Sequence, residues 1–339
     1  MSRSGLRRAL LVVLTVLLVT VGARALRSAA SDHLVIERAE HGESVSVTID
    51  VKPVSTQGTA AVSQDVLFDE SFSVREGGRL ALNLGSENVT VRTVSGTRAR
   101  VTVEGRGRDA ASEFERRRFS ARASGGDLTV RTNPPRQRWS GRRDASFQVT
   151  IEIPRRYSAD LDLGSGNVEV GSLTGDLRVD VGSGNVTVED VNGDEVVLDT
   201  GSGTVRARAL RGDVRIDTGS GSVHVDRVEG SLLVDTGSGS VNVGTVDGRT
   251  NVDTGSGSVE MTLVSAASSE VSTGSGSVTM RLPRAAGFDV QMGGGSVRID
   301  DALRFSGDRE RDEARGRLNG GGPTLRVSTG SGAIRLIAG

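Results

Sequence analysis

One short corner motif returns along this chain at an almost fixed interval, and that period limits the possible folds more than any other feature. Gly-Ser-Gly begins at Gly164, Gly182, Gly201, Gly219, Gly237, Gly255 and Gly274, in steps of 18, 19, 18, 18, 18 and 19 residues. A variant, GGGSV, follows 19 residues later at Gly293, and a last copy starts at Gly330, 37 residues further on and close to two periods. The unit reads G-S-G-[NS]-V-x-V-x-x-[VL]-x-G-x-[LV]-x-[VI]-D-T. In the fourth copy the apolar slots are Val223, Val225, Val228, Leu232 and Val234, while His224, Leu233 and Asp235 fall on the opposite face.

Two runs of period-two alternation per unit predict two short strands, each with one face turned inward. A unit of this size cannot bury its inner face alone, so neighbouring units must stack and pair equivalent strands. The expected fold is all-β: a single-stranded parallel β-solenoid with 18–19-residue coils, preceded by an N-terminal signal or anchor helix. At roughly 4.8 Å per coil, nine coils would make a rod of about 40 Å. An earlier coil is legible in LGSENVTVRTVSG, where Gly85, Val89, Val91, Val94 and Gly96 fill the same slots. The division is therefore residues 1–25, a signal peptide or signal anchor; 26–67, a polar linker with one short strand near Ser44–Val51; and 68–339, the solenoid. Two excursions interrupt it. Residues 105–146 read as a β-hairpin with a basic tip, and residues 301–322 as a charged loop or short helix.

Composition agrees with Val-rich strands closed by Gly corners: 46 Gly, 7 Phe, one Trp and one Tyr in 339 residues. The net charge of −1 gives no push toward nucleic acid, and no nucleic-acid partner is expected. Charge is unevenly spread, however, with 13 Arg against 6 acidic residues over 96–145 and 21 acidic residues against 10 Arg over 160–300. The absence of cysteine excludes disulfides, thiolate catalysis and Cys-ligated zinc together. At the N-terminus, Arg3, Arg7 and Arg8 precede an apolar run from Ala9 to Val21 that closes on Ala23-Arg24-Ala25. That is the layout of a secretory signal, with an uncleaved anchor as the alternative. The remainder is expected outside the cytoplasm, in the periplasm or at the cell surface.

Asp-Thr-Gly-Ser surrounds the catalytic aspartate of pepsin-like proteases, and here it starts at Asp199, Asp217, Asp235 and Asp253, 18 residues apart. A protease needs two carboxylates converging on one proton. These instead predict a row, one per coil, extended by Asp162 and Asp180 and ending at Ser272 and Ser328. In such a row each carboxylate would accept bonds from the corner N–H groups, so four Asp→Asn changes would lower stability. A divalent cation between neighbouring aspartates is the secondary reading. His33, His41 and His224 are scattered, and no H-E-x-x-H, G-x-S-x-G or phosphate loop occurs. Around Trp139, the residues Arg136, Arg138, Arg142 and Arg143 read as a solvated basic tip, with a grip on an anionic glycan, a lipid headgroup or a nucleic acid as the functional alternative. No catalytic, cofactor-binding or metal-ligating residue is assigned, and no cofactor.

The stretches FSVREGGRLALNLGSENVTV and VTIEIPRRYSADLDLGSGNVEV, with the serial DTGSGSV units, resemble the bacterial "putative adhesin" family of β-strand-repeat proteins, a domain of unknown function. The resemblance runs from about Phe68 to the C-terminus and implies an exported β-rich repeat domain. The expected function is a non-enzymatic cell-envelope or surface scaffold, adhesin-like or structural, whose partner is an envelope glycan, a lipid headgroup or another protein. The alternatives are a polysaccharide-active β-helix enzyme and a rod that self-associates through uncapped solenoid ends.

Overall fold

The computed structural model describes residues 35–40, 43–48, 64–133 and 145–339. The signal or anchor segment and the Trp139 tip lie outside them. Two compact units are present, residues 1–61 and 62–339. In the first, Val35–Glu40 pairs antiparallel with Glu43–Thr48. The short strand expected near Ser44–Val51 is therefore one arm of a hairpin.

Among its described residues the second unit is all-β apart from a helix, Ala110–Arg117, and a 3-10 turn, Asp301–Leu303. Its 26 strands form one continuous sheet. Each repeat contributes one strand to each of two flanks, exemplified by Val223–Glu229 and Leu232–Ser238. Equivalent strands of successive repeats pair in parallel and in register: Val205 with Val223, Val223 with Val241, Val241 with Val259. Alternation explains which residues point where. Val223, Val225 and Val228 are buried, whereas His224 stands outward between Arg206 and Asn242.

Steric contact at the corners fixes the spacing. A Cβ on Gly203 would lie 1.9 Å from the carbonyl oxygen of Gly184 in the coil before, and one on Gly239 would lie 2.0 Å from that of Gly221. Both residues also hold a positive φ, 152° and 151°. No side chain fits there, so the corner is glycine in successive coils.

The parallel stack does not extend to the ends, where the excursions differ from their expected form. Over 105–146 the chain completes the strand Arg98–Arg106, forms the helix, turns through the hairpin Ser120–Ser124 and Asp127–Arg131, and returns as Ser146–Pro154. The helix was not expected. The hairpin was, but its turn is Gly125–Gly126 rather than the basic segment. Strands Arg98–Arg106 and Gln64–Ser73 then close one flank in antiparallel pairing. Residues 301–322, read as a charged loop or helix, contain the antiparallel hairpin Phe305–Arg309 and Glu313–Leu318. Ala314 and Leu318 point inward and supply the alternation that the charges obscured.

All seven phenylalanines belong to these terminal elements. Phe68, Phe72, Phe114, Phe119 and Phe147 cluster at one end, with ring centroids of Phe68 and Phe119 5.0 Å apart, and Phe288 and Phe305 close the other. Repeats in the middle need only Val-sized groups. The ends, lacking a further coil, are filled by larger ones. At the aromatic end the buried Glu87 occupies the third glycine position of its corner, pairs with Arg117 of the helix and accepts from the Ser86 amide at 2.7 Å. The Arg117 guanidinium also lies 4.5 Å from the Phe147 ring centroid.

The register makes a sharp prediction. Val225 is fully buried between Ala207 and Val243, so Val225→Asp places an unpaired carboxylate among aliphatic groups and is expected to cost several kcal/mol, about 3 or more. The neighbouring His224→Asp should change stability by no more than about 0.5 kcal/mol. Thermal melts of the two variants check this; equal losses would contradict the register.

Candidate functional site

Two surface features stand out from the repeats. The first is the aspartate row. Asp162, Asp180, Asp199, Asp217, Asp235 and Asp253 are register partners in sequence, each paired with the next across parallel strands. Ser272 and Ser328 continue the row at one end, and Asn83 and Arg131 at the other. The carboxylates thus form a line rather than a facing pair. Among the described residues no group of three or more His, Asp or Glu is arranged to hold a metal ion.

The corner N–H groups expected to bond these carboxylates donate instead to backbone carbonyls of the next coil, as Gly203 does to Ser220 at 3.0 Å and Gly221 to Ser238 at 2.9 Å. A different corner bond comes from the inward threonine after Asp199, Asp235, Asp253, Ser272 and Ser328, whose hydroxyl donates to the carbonyl of the third corner glycine of the neighbouring coil; the equivalent Thr218 hydroxyl has no partner. Thr200 reaches Gly184 at 3.1 Å, Thr273 reaches Gly257 at 3.0 Å and Thr329 reaches Gly276 at 2.8 Å. The aspartates instead meet outward groups: Asp162 accepts from Asn83 at 2.8 Å, and Asp217 lies 3.4 Å from Arg215. Neighbouring charges at about 4.8 Å repel by about 1 kcal/mol in water. The effect is visible at Asp199, whose pKa is raised first by partial burial and then by Asp180 and Asp217, against the opposing pull of Arg178 and Arg215.

The second feature lies at the other corner of the same coils. Arg155, Thr174, Asp190, Arg208, Arg227 and Thr245 line an open depression of about 630 Å³. A charge network surrounds it, most of it between coils. Arg208 pairs with Glu189 at 2.9 Å and with Asp190; Arg211 pairs with Glu229 at 2.7 Å; His224 Nε2 approaches Asp226 at 3.1 Å. Asp190 Oδ1 is buried without a hydrogen-bond partner. Apart from His224, read as an outward solvated position, sequence reasoning did not single out these residues. The available signal was the variation at the two unspecified positions of the unit, after its first inward pair: Glu189-Asp190, Arg208-Ala209, Asp226-Arg227 and Gly244-Thr245. Of the other residues considered, His224 stands outward on the flank that contains Val223–Glu229, whereas His33, His41, Arg136, Arg138, Trp139, Arg142 and Arg143 lie outside the described residues.

The chain belongs to the Toastrack DUF4097 family, whose pattern matches residues 78–336. This agrees with the adhesin-like resemblance seen in the repeats. Among solved structures, it is similar to a protein described as a putative adhesin from Bacteroides fragilis, with 11% identity, 81% of this chain and 98% of that chain covered, and a TM-score of 0.41. A protein from Parabacteroides distasonis, described as a putative lipid binding protein, shows 12% identity over 80% of this chain and 96% of that chain, with a TM-score of 0.43. One from Clostridium sporogenes, described as a putative cell adhesion protein, shows 12% identity over 82% and 100%, with a TM-score of 0.23. No curated protein matches the sequence.

Two predictions separate the corner bonds from the carboxylates. Thr273→Val removes a made hydrogen bond and should cost about 0.5–1.5 kcal/mol, whereas Thr218→Val should be neutral or slightly stabilising, because the buried Thr218 hydroxyl has no partner. Differential scanning calorimetry reads the contrast. For the row, the raised pKa means that the fold binds the Asp199 proton more tightly than the unfolded chain does. Its stabilising contribution is complete below the unfolded carboxylate range and is lost as pH rises through the folded value. Asp199→Asn should therefore match the wild type near about pH 3 and exceed its stability at about pH 7. This reverses the sign expected from corner bonding by aspartate, and melts across that range test it.

Proposed function

We propose that this chain is an exported, non-enzymatic binding module of the cell envelope, with the outer faces of the coil stack as its working surface. The observation that carries the reading is the arrangement of its ionisable groups. They run as rows along the stacking direction, one per coil, so the surface offers a linear polymer or a headgroup lattice many equivalent contacts. Convergent acid–base chemistry needs two differently tuned groups within reach of one bond. The aspartate row supplies near-identical groups in a line. A polysaccharide-active enzyme would need one coil to differ sharply from its neighbours, and the charge network around Arg208 is the place where such activity would reside.

Self-association through open coil ends has less support. Short or charged antiparallel strands cover both ends, with Gln64–Ser73 and Ser120–Ser124 at one and Phe305–Arg309 at the other. Export rests on Arg3 to Ala25. Among the described residues no helix is long and apolar enough to cross a membrane.

Screening the purified protein against envelope glycans and anionic lipid vesicles tests the binding reading. The expected result is reversible binding that weakens as salt rises, with the glycan recovered intact. Shortened glycan products, lost on changing one residue, would overturn it in favour of the enzyme. Mass spectrometry of the natural N-terminus is expected to find a chain beginning near Leu26; Met1 intact in a soluble cytosolic fraction would defeat export.

A further inference from the structure

The final coil in the sequence is not the final coil in the stack. From Ser158 to Leu282 coils are added in chain order, on one side of the coil 79–94, whose other side is covered by Asp127–Arg131 and Ser146–Pro154. The next, Phe288–Gly293 with Ser296–Ile299, makes no strand pairing with the coil before it. The chain leaves a gap one coil wide, builds the hairpin 305–318, and comes back. Strands Thr324–Thr329 and Ala333–Ala338 then fill the gap, pairing inward with Ser269–Ser275 and Val278–Leu282 and outward with the 288–299 strands.

From this topology we propose that the C-terminal coil is a closing latch, and that residues 288–318 keep their place only while it is inserted. Without it, the coil 288–299 retains a single strand partner, Glu313–Leu318, itself one arm of a hairpin. A small antiparallel ribbon of this kind is marginal in water. Phe288, Leu303 and Leu318 are fully buried and plug this end of the core, and the latch supplies the coil against which they close. On the other side, the edges of Ser269–Ser275 and Val278–Leu282 would be left open, with Val271 and Met280 uncovered.

Local chemistry fits a segment that turns back and locks. The connection contains Asn319, Gly320 and Gly321 at φ of 50°, 94° and 96°, a left-handed run that reverses the chain. Asn319 Nδ2 donates to the carbonyls of Arg284 and Ala286, at 2.9 and 2.8 Å, and ties this turn to the one leading into the outer coil. At the far corner Thr329 donates to Gly276, and the Asp300 amide donates to Leu336 at 3.0 Å. For a chain exported N-terminus first, the stack remains open until its last coil is released. A copy truncated before residue 324 would display unpaired sheet edges.

Hydrogen exchange of the full chain, read by mass spectrometry, tests the latch because order of insertion and order in sequence predict opposite hierarchies. Leu336→Asp, in the latch, should speed exchange by about ten-fold or more in both 324–338 and 288–318, with 223–247 unaffected. Val297→Asp, in the outer coil, should loosen 288–299 while 324–338 stays protected on its inner neighbours. Retention of wild-type protection by 288–318 in Leu336→Asp, or equal release of 324–338 by Val297→Asp, would overturn the proposal. Should either variant fail to fold, a milder pair decides. Ser272 and Ser328 are register partners on the outer face, and the chain has no cysteine of its own. Oxidised Ser272→Cys/Ser328→Cys should slow exchange across 288–299 by about ten-fold relative to its reduced form. No difference between the two forms would also refute the latch.

Discussion

The contact on which this fold depends is between backbones. At each Gly-Ser-Gly corner the chain passes so close to the preceding coil that a Cβ on Gly184, Gly203 or Gly257 would sit 1.9–2.0 Å from a carbonyl oxygen. This closeness lets the parallel ladders run unbroken, because the corner cannot widen without pulling both flanks out of register. It also sets the size of the interior. Two flanks drawn together by glycine corners leave room for Val, Leu and Thr, as at Val234, Leu232 and Thr236, and the aromatic groups that organise ordinary cores are confined to the ends.

The corner also distributes polarity. Threonine is the one polar residue the interior takes coil after coil, since its hydroxyl reaches a corner carbonyl while its methyl packs among the valines. Aspartate, one position earlier, faces out and adds charge without bonding to the corner. The two adjacent letters of the repeat thus act in opposite senses, one holding the coils together and the other pushing its copies apart.

Much of this was legible in the sequence, and the limits have physical causes. Alternation around His224 and Val225 fixed which face each residue takes, because period two leaves one choice once a valine is known to be inside. Periodicity gave the coils for the same reason. It could not give their order. The 37-residue step before Gly330 is compatible with two further coils or with a hairpin and one inserted coil, and only the pairing of Leu325 with both Ser269 and Val290 distinguishes them. The helix Ala110–Arg117 was hidden by its charges, since Arg117 is partly buried through its pairing with Glu87 rather than by apolar patterning. The corner role was assigned to aspartate because carboxylates are strong acceptors for N–H groups; the close parallel stacking, however, gives those N–H groups backbone carbonyls of the next coil, as Gly239 donates to Ser256, and the free corner carbonyls take a threonine hydroxyl instead.

The closed ends have a consequence for how such a chain changes length. The terminal coils are individually specialised, one by its phenylalanine cluster and the other by its out-of-order final segment, so neither can be repeated without creating a second end inside the molecule. Between them, the units at Asp217, Asp235 and Asp253 are nearly interchangeable in sequence, and each pairs only with its two neighbours. Duplication or loss of a unit there leaves both termini intact. The number of coils is consequently open to evolution by slippage within the central repeats, and the reach of the molecule can be altered one coil at a time without redesigning its ends.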